Sequence, residues 1–142
     1  MAIDVNRVLS GTSGNVWING KLLANLKSIE LKVTGNFEEI NFCGDAATYN
    51  RYTGFTGEGT IVLQKIDSTV LDLVGDAYLS GVMPDIKIIT KLTDKSTGKS
   101  ERVAISDVLI TEFMLANFEG KSLVEEELPL KFSTFEVLEK IS

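Results

Sequence analysis

The chain of 142 residues has no histidine, one cysteine and two prolines. No uninterrupted apolar run approaches the roughly 18 residues that a membrane-spanning helix needs. Without histidine the commonest general base and metal ligand is missing, and most hydrolase and zinc-site schemes go with it. Cys43 has no second cysteine with which to form an intrachain disulfide, and no neighbouring residue would activate its thiol, so it reads as a small packing residue. Residues 1–11 lack the charged start and hydrophobic centre of a secretory signal, so folding in the cytoplasm without stable membrane association is expected. Basic residues are also scarce: 14 Lys and Arg face 20 Asp and Glu, for a net charge of −6. A protein that holds nucleic acid by neutralising phosphates needs the opposite balance.

An apolar content of 44% and a charged content of 24% are those of one soluble domain, 1–142, long enough to bury about two thirds of its unfolded surface. Residues 21–42 organise it. Leu23, Ile29, Leu31 and Val33 alternate with Ser28, Glu30, Lys32 and Thr34, the pattern of a strand with a core on one face and water on the other. The reading is two long strands folded at residues 34–37, followed by a glycine-rich loop over 43–57. Tyr49, Tyr52 and Phe55, interleaved with Asn50 and Arg51, give that loop the composition of a contact surface; a disordered insertion is the plainer reading. Likewise, Val5 and Val8 with Ile3 make residues 1–12 either a frayed terminus or an arm that docks on a neighbouring copy.

The Asn19-Gly20 pair marks a tight hairpin. Residues 58–66 read as a strand, and one helix starts near Thr69 with a Thr69/Asp72 capping box. That helix carries Val70, Leu73, Val74, Ala77 and Tyr78 on one stripe and stops at Gly81 and Pro84. Gly75 in its middle has no explanation in propensity. Two further hairpins are expected, 85–93 with 101–110 and 112–118 with 123–137, the last strand bending near Ser133 with Pro129 at an edge or irregular position. The predicted class is α+β, mainly β: an antiparallel β-sandwich or partly closed barrel with one flanking helix.

Chemical motifs are absent on inspection. Gly98-Lys99-Ser100 and Gly120-Lys121-Ser122 end like a phosphate-binding loop, but Thr93 and Leu115 stand where its first glycine belongs. Gly54, Gly57 and Gly59 lack the dinucleotide spacing and precede a strand. In the run Glu125-Glu126-Glu127 successive strand residues point to opposite faces, so a solvated or interface acidic run is favoured over a metal site. Serine, threonine and aspartate are plentiful, yet none has an identifiable base. No catalytic, cofactor-binding or metal-binding residue is expected, and no enzyme activity.

The ordered set of Ser10-Gly11 with Gly14, Ile18-Asn19-Gly20, Gly44, Tyr52-Thr53-Gly54 with Gly57 and Gly59, Gly81 with Pro84, Glu101-Arg102-Val103 leading to Asp107, and residues 125–132 followed by Phe135 resembles the tail tube proteins of contractile-tailed phages and prophages. The resemblance is to the PBSX-like, XkdM-type group and to the tubes of contractile bacteriocins, and it runs nearly the whole chain. Leu130 departs from it, where an aromatic residue is expected after the proline. The resemblance implies hexameric rings stacked into a tube, with long hairpins joined into an inner barrel and the N-terminal arm and long loop touching the next ring. Ile3, Val5, Val8, Tyr49, Arg51, Tyr52 and Phe55 are then inter-subunit contacts, and Glu30, Lys32, Glu38, Lys87 and Asp107 face the lumen. The partners it implies are further copies, a sheath, a baseplate or initiator, a terminator, and DNA as non-specific cargo; the expected location is the host cytoplasm during assembly, then a virion or phage-like tail. The alternatives are an injection tube of a bacterial secretion system, and a monomeric ligand-binding β-barrel around an apolar cavity.

Overall fold

The structure is a computed structural model that describes residues 4–142. Two antiparallel sheets face one another. The first, in the order β2-β1-β5-β6-β9, is built from β1 (Gly14–Ile18), β2 (Lys21–Leu22), β5 (Ile88–Thr93), β6 (Ser100–Ser106) and β9 (Thr134–Glu139). The second, in the order β3-β4-β8-β7, is built from β3 (Leu26–Asn41), β4 (Thr48–Gln64), β8 (Glu125–Phe132) and β7 (Leu109–Ile110). The one α-helix among the described residues, α1 (Thr69–Ser80), packs Val70, Val74 and Ala77 toward the core. The expected α+β sandwich with one helix is what forms.

The core lies between the sheets and takes one face of β1, β4, β5, β6 and β8, whereas β2 and β9 bury no residue. Ile61 and Leu63 of β4, Leu128 and Leu130 of β8, Val16 of β1, Ile88 of β5 and Ile105 of β6 are all buried, with Val74 of α1 among them. Each side chain of this size contributes about 1.5 to 3 kcal/mol on full burial. The tight hairpin at Asn19-Gly20 forms as read, with both residues at positive φ (50° and 84°) and Ile18 paired to Lys21. The helix ends as read too, with Gly81 left-handed and its N–H bonded to the Ala77 carbonyl. Its start differs: Ser68 is the N-cap, and the Asp67 carboxylate, not a Thr69/Asp72 box, accepts the Thr69 N–H at 3.0 Å. Leu71 lies across Gly75, where an added Cβ would stand 3.3 Å from its methyl.

Three expectations are corrected. Residues 34–37 do not turn; β3 runs straight through them, paired with β4 from Leu26↔Leu63 to Asn41↔Thr48. Gly35 is there because the Phe37 ring folds over it, 2.7 Å from where a Cβ would be. Most of the supposed loop 43–57 is therefore strand, and the true turn is confined to residues 42–47. A register shift at Asn36/Phe37, where Thr53 is the extra residue and its hydroxyl donates to the Asn36 carbonyl at 3.0 Å, bends the ribbon without ending it.

The third hairpin also fails to form. Residues 112–118 are not a strand, and β8 pairs with β4 and β7, while β9 joins the other sheet beside β6. The chain changes sheet at Ser133, the position where a bend was expected. Thr111 donates to the Pro129 carbonyl at 2.9 Å, but Pro129 has no N–H to return, and the β7–β8 ladder ends there.

Phe132 covers Gly57 of the neighbouring strand, its ring 2.3 Å from where a Cβ would lie. Gly57→Ala should destabilise the fold by about 1 to 3 kcal/mol through overpacking, read as a lower denaturation midpoint in urea; an unchanged midpoint would show that the ring moves freely. Asp94, 5% exposed, closes the β5–β6 turn by accepting from the Ser96 hydroxyl (2.7 Å), the Ser96 N–H (3.0 Å) and the Thr97 hydroxyl (3.0 Å). The Ser96 hydroxyl bond above all holds this carboxyl below the usual carboxylate range. A depressed folded pKa stabilises above the unfolded pKa, and that contribution is lost as pH falls through the folded value. The midpoint difference between the natural chain and Asp94→Ala should thus be widest near neutrality and close in acid.

Candidate self-association surface

The four-stranded sheet carries its distinguishing feature on one side. Strand β8 reaches only to Gly57↔Phe132, so beyond it residues 34–56 of β3 and β4 continue as a two-stranded ribbon with no third strand. An isolated ribbon is marginal in water. This one is nonetheless lined by exposed aromatics that pair edge to face across the strands: Phe37 with Tyr52 at 5.6 Å and Phe42 with Tyr49 at 5.8 Å. Phe37 is 61% exposed and Tyr52 55%. At the ribbon's base Phe55 meets Phe135 of β9 at 5.6 Å, linking the two sheets. At its tip the Asp45 carboxylate accepts the Tyr49 hydroxyl at 2.6 Å and the Ala47 N–H at 2.9 Å. Those bonds, Tyr49 first, hold the Asp45 carboxyl below its ordinary range and push the Tyr49 phenol up.

Register assigns the faces. Ile29, Leu31, Val33, Phe37, Tyr52 and Phe55 continue the core side, whereas Glu30, Lys32, Glu38, Arg51 and Glu58 lie on the opposite, polar side with Glu127 and Lys131 of β8. There Lys32 pairs with Glu58 at 3.3 Å, Lys27 pairs with Glu125 at 2.5 Å, and Arg51 sits across from Glu38. Acidic and basic groups nearly balance on this face, with a small acidic excess.

Three of the five expected lumen residues, Glu30, Lys32 and Glu38, share that face. Lys87 and Asp107 do not join them. Lys87 lies beside the first hairpin, where its carbonyl accepts the Asn19 N–H (2.9 Å) and its N–H donates to the Asn19 side chain (2.8 Å), at the end of the other sheet. Asp107, at φ 56°, makes the turn by which the chain leaves β6 for β7. Of the expected contact residues, Tyr52 and Phe55 fall on the core-side face, and Tyr49 and Arg51 on the polar face. Val5 and Val8 are exposed in and beside a short 3-10 turn (Val5–Arg7), and Ile3 lies outside the described residues. Sequence reading missed Phe37, Phe42 and Phe135; for Phe37 and Phe42 the signal was available in their cross-strand partnership with Tyr52 and Tyr49, once the ribbon is taken as continuous, whereas Phe135 meets Phe55 only through the packing of one sheet on the other.

Between the sheets, on the side of β3, opens a cleft of about 800 Å³ whose lining includes Gly14, Leu31, Leu92 and Val103 together with Lys27 and Glu101. Among the described residues, the outer edges of β3 and β9 have no neighbouring strand. A ligand-binding barrel closes its edges around its cavity; these sheets stay open.

The family model of the phage tail tube proteins matches residues 1–139. The chain belongs to that family. It is a structural protein of the tail tube, and its relatives bear the architecture out at two distances. The phage-like element PBSX protein XkdM of Bacillus subtilis (strain 168) is 33% identical over 144 residues, covering 100% of this chain and 98% of that protein. The fold is shared by a chain of an extracellular contractile injection system, the PVC sheath-tube complex in its extended state (TM-score 0.78, 12% identity, 96% of this chain and 95% of that one). A tube-terminating cap of the anti-feeding prophage is equally similar in fold (TM-score 0.78, 11% identity, 99% and 97% coverage).

Tyr49→Phe removes the strongest bond to the Asp45 carboxylate, so the Asp45 titration followed by NMR should move up toward the ordinary carboxylate range; an unmoved titration would mean that the two side chains do not hold the tip together.

Proposed function

We propose that copies of this chain close into hexameric rings, that the rings stack into a hollow tube, and that the polar face of the four-stranded sheet lines its bore. The observation that carries this is the ribbon of residues 34–56, a two-stranded projection whose aromatic side chains have no covering layer within the subunit. Exposed apolar patches of this kind mark association surfaces, and a head-to-tail contact that repeats builds a filament. Tyr52, with Phe37 beside it, is the anchor toward the adjacent ring, assisted by Tyr49, Arg51, Phe55 and the N-terminal arm with Ile3, Val5 and Val8.

Glu30, Lys32 and Glu38 then face the bore. Most bases on this face stand beside an acid, so the wall offers phosphate no excess of free cations, and DNA passes as non-specific cargo without being held. The outer surface meets a sheath, and the ends of the stack meet a baseplate or initiator and a terminator. The role is structural, without catalysis, first in the host cytoplasm and then in a tail.

Negative-stain imaging of the purified chain over a rising concentration series tests the reading. Rings or tubes are expected. The double variant Phe37→Ser with Tyr52→Ser should keep its circular dichroism spectrum yet give tubes far shorter than the natural chain, whereas full-length tubes from it would remove the ribbon from the contact.

A further inference from the structure

The five-stranded sheet has an outer face of its own, the one turned away from the core. Strand parity assigns it: Val16, Ile18, Ile88 and Ile105 point inward and are buried, so their neighbours along β1, β5 and β6 point out. Register sets those neighbours in two adjacent rows. Trp17, Ile89 and Ala104 stand side by side across the three strands, and Asn15, Lys91 and Arg102 stand side by side next to them. The first row is apolar, and the second carries two cations.

That second row holds an electrostatic conflict. Lys91 and Arg102 are directly opposite one another on β5 and β6, where like charges destabilise a sheet. Both residues are half-buried, so water and salt screen them less than at an open surface. Among the described residues neither forms an ion pair. Glu139 of β9 stands across from Arg102 on its other side, but the ladder slips between Arg102 and Val103 and the two charges do not meet. The Arg102 Nε is moreover buried with no hydrogen-bond partner, which is true of no other side-chain nitrogen or oxygen among the described residues. A donor left in this way costs stability that the fold does not recover. Nothing within the subunit explains why two cations should be set here.

We propose that Lys91 and Arg102 are the docking point for a carboxylate on the inner surface of the sheath subunit, with Trp17 and Ile89 as the apolar shoulder beside it. This rests on the tube reading above and says what chemistry holds the surrounding layer. With the polar face of the four-stranded sheet toward the bore, the outer face of the other sheet is the back of the wall, open to whatever encloses the tube. A guanidinium binds a carboxylate through two parallel N–H bonds, and an arginine side chain is long enough to turn outward and make them. Turning outward releases the covered Nε, and a carboxylate set between the two cations cancels their repulsion. The conflict in the free subunit therefore favours the docked state. The net charge of −6 repels acidic groups from the rest of the chain, which confines an acidic partner to this point.

Co-expression of the full chain with the sheath subunit of the same tail, imaged in negative stain, tests this. The natural chain should give sheathed tubes. The double variant Lys91→Gln with Arg102→Gln, which keeps most of each aliphatic stem, should stack into tubes of natural length whose sheathed fraction is about ten-fold smaller. Its denaturation midpoint in urea should equal or exceed that of the natural chain, because the repulsion and the unmet donor are both removed. Sheathing of the variant at the natural level would overturn the proposal, as would a lowered midpoint, which would mean that the two cations are held by their own chain. Natural tubes that stay bare, or that sediment with double-stranded DNA when the variant's tubes do not, would also overturn it, the latter by assigning the pair to phosphate. A natural chain that stays dispersed at every concentration would overturn the tube reading itself, and the docking point with it.

Discussion

A β-strand paired on one side only exposes a row of unmet donors and acceptors, and the longest element but one in this subunit is such a strand. Strand β3 has β4 on its inner side and, among the described residues, no strand on its outer side over its full sixteen residues. Small proteins usually blunt such an edge with proline, bulges or inward-pointing charge. Here the outer edge is long, interrupted only near Lys27, and continuous with a ribbon that carries aromatic side chains into solvent. An edge of that kind is a template on which another strand can pair.

The core anchors the base of that ribbon. Gly57 and Gly59 thin β4 where Phe132 and Leu31 press on it, so β3, β4 and β8 approach closely at the ribbon's base. Phe55 and Phe135 then tie the base to the other sheet. Beyond this point no buried side chain stabilises the ribbon, and what keeps it extended is its own ladder, two edge-to-face aromatic pairs and the carboxylate at Asp45 that closes its tip. The base is held by packing between the sheets, and the end only by bonds within the ribbon.

Charge follows the same division. The polar face spaces carboxylates and cations so that they largely cancel, through Lys32 with Glu58 and Lys27 with Glu125. These exposed pairs contribute little to stability, about 1 kcal/mol at most each. Their consequence is a face that neither attracts nor strongly repels polyanions at short range, while the chain as a whole keeps a net charge of −6. The acidic run at residues 125–127 is divided by the pleat: Glu126 points inward beside Lys65 at 3.5 Å, and Glu125 and Glu127 point to the polar face.

What could be read from the chain alone was whatever depends on neighbours in sequence. Alternation identified the faces of β3, the spacing of Val70, Val74 and Ala77 gave the helix, Asn19-Gly20 and Gly81 announced their own backbone conformations, and the lack of histidine removed the usual chemistry. What needed the tertiary structure was every feature set by pairing across sequence distance. Gly35 looks like a turn until Phe37 is seen folded over it, and Tyr49, Tyr52 and Phe55 look like loop residues until β3 supplies their partners. Lys87 and Asp107 alternate like lumen residues, but their strands belong to another sheet or to none. Residues 112–118 have the pattern of a strand and are not one, because a strand requires a partner, and Pro129 withholds it. Local pattern states which face a residue prefers; only the arrangement of strands decides what lies opposite.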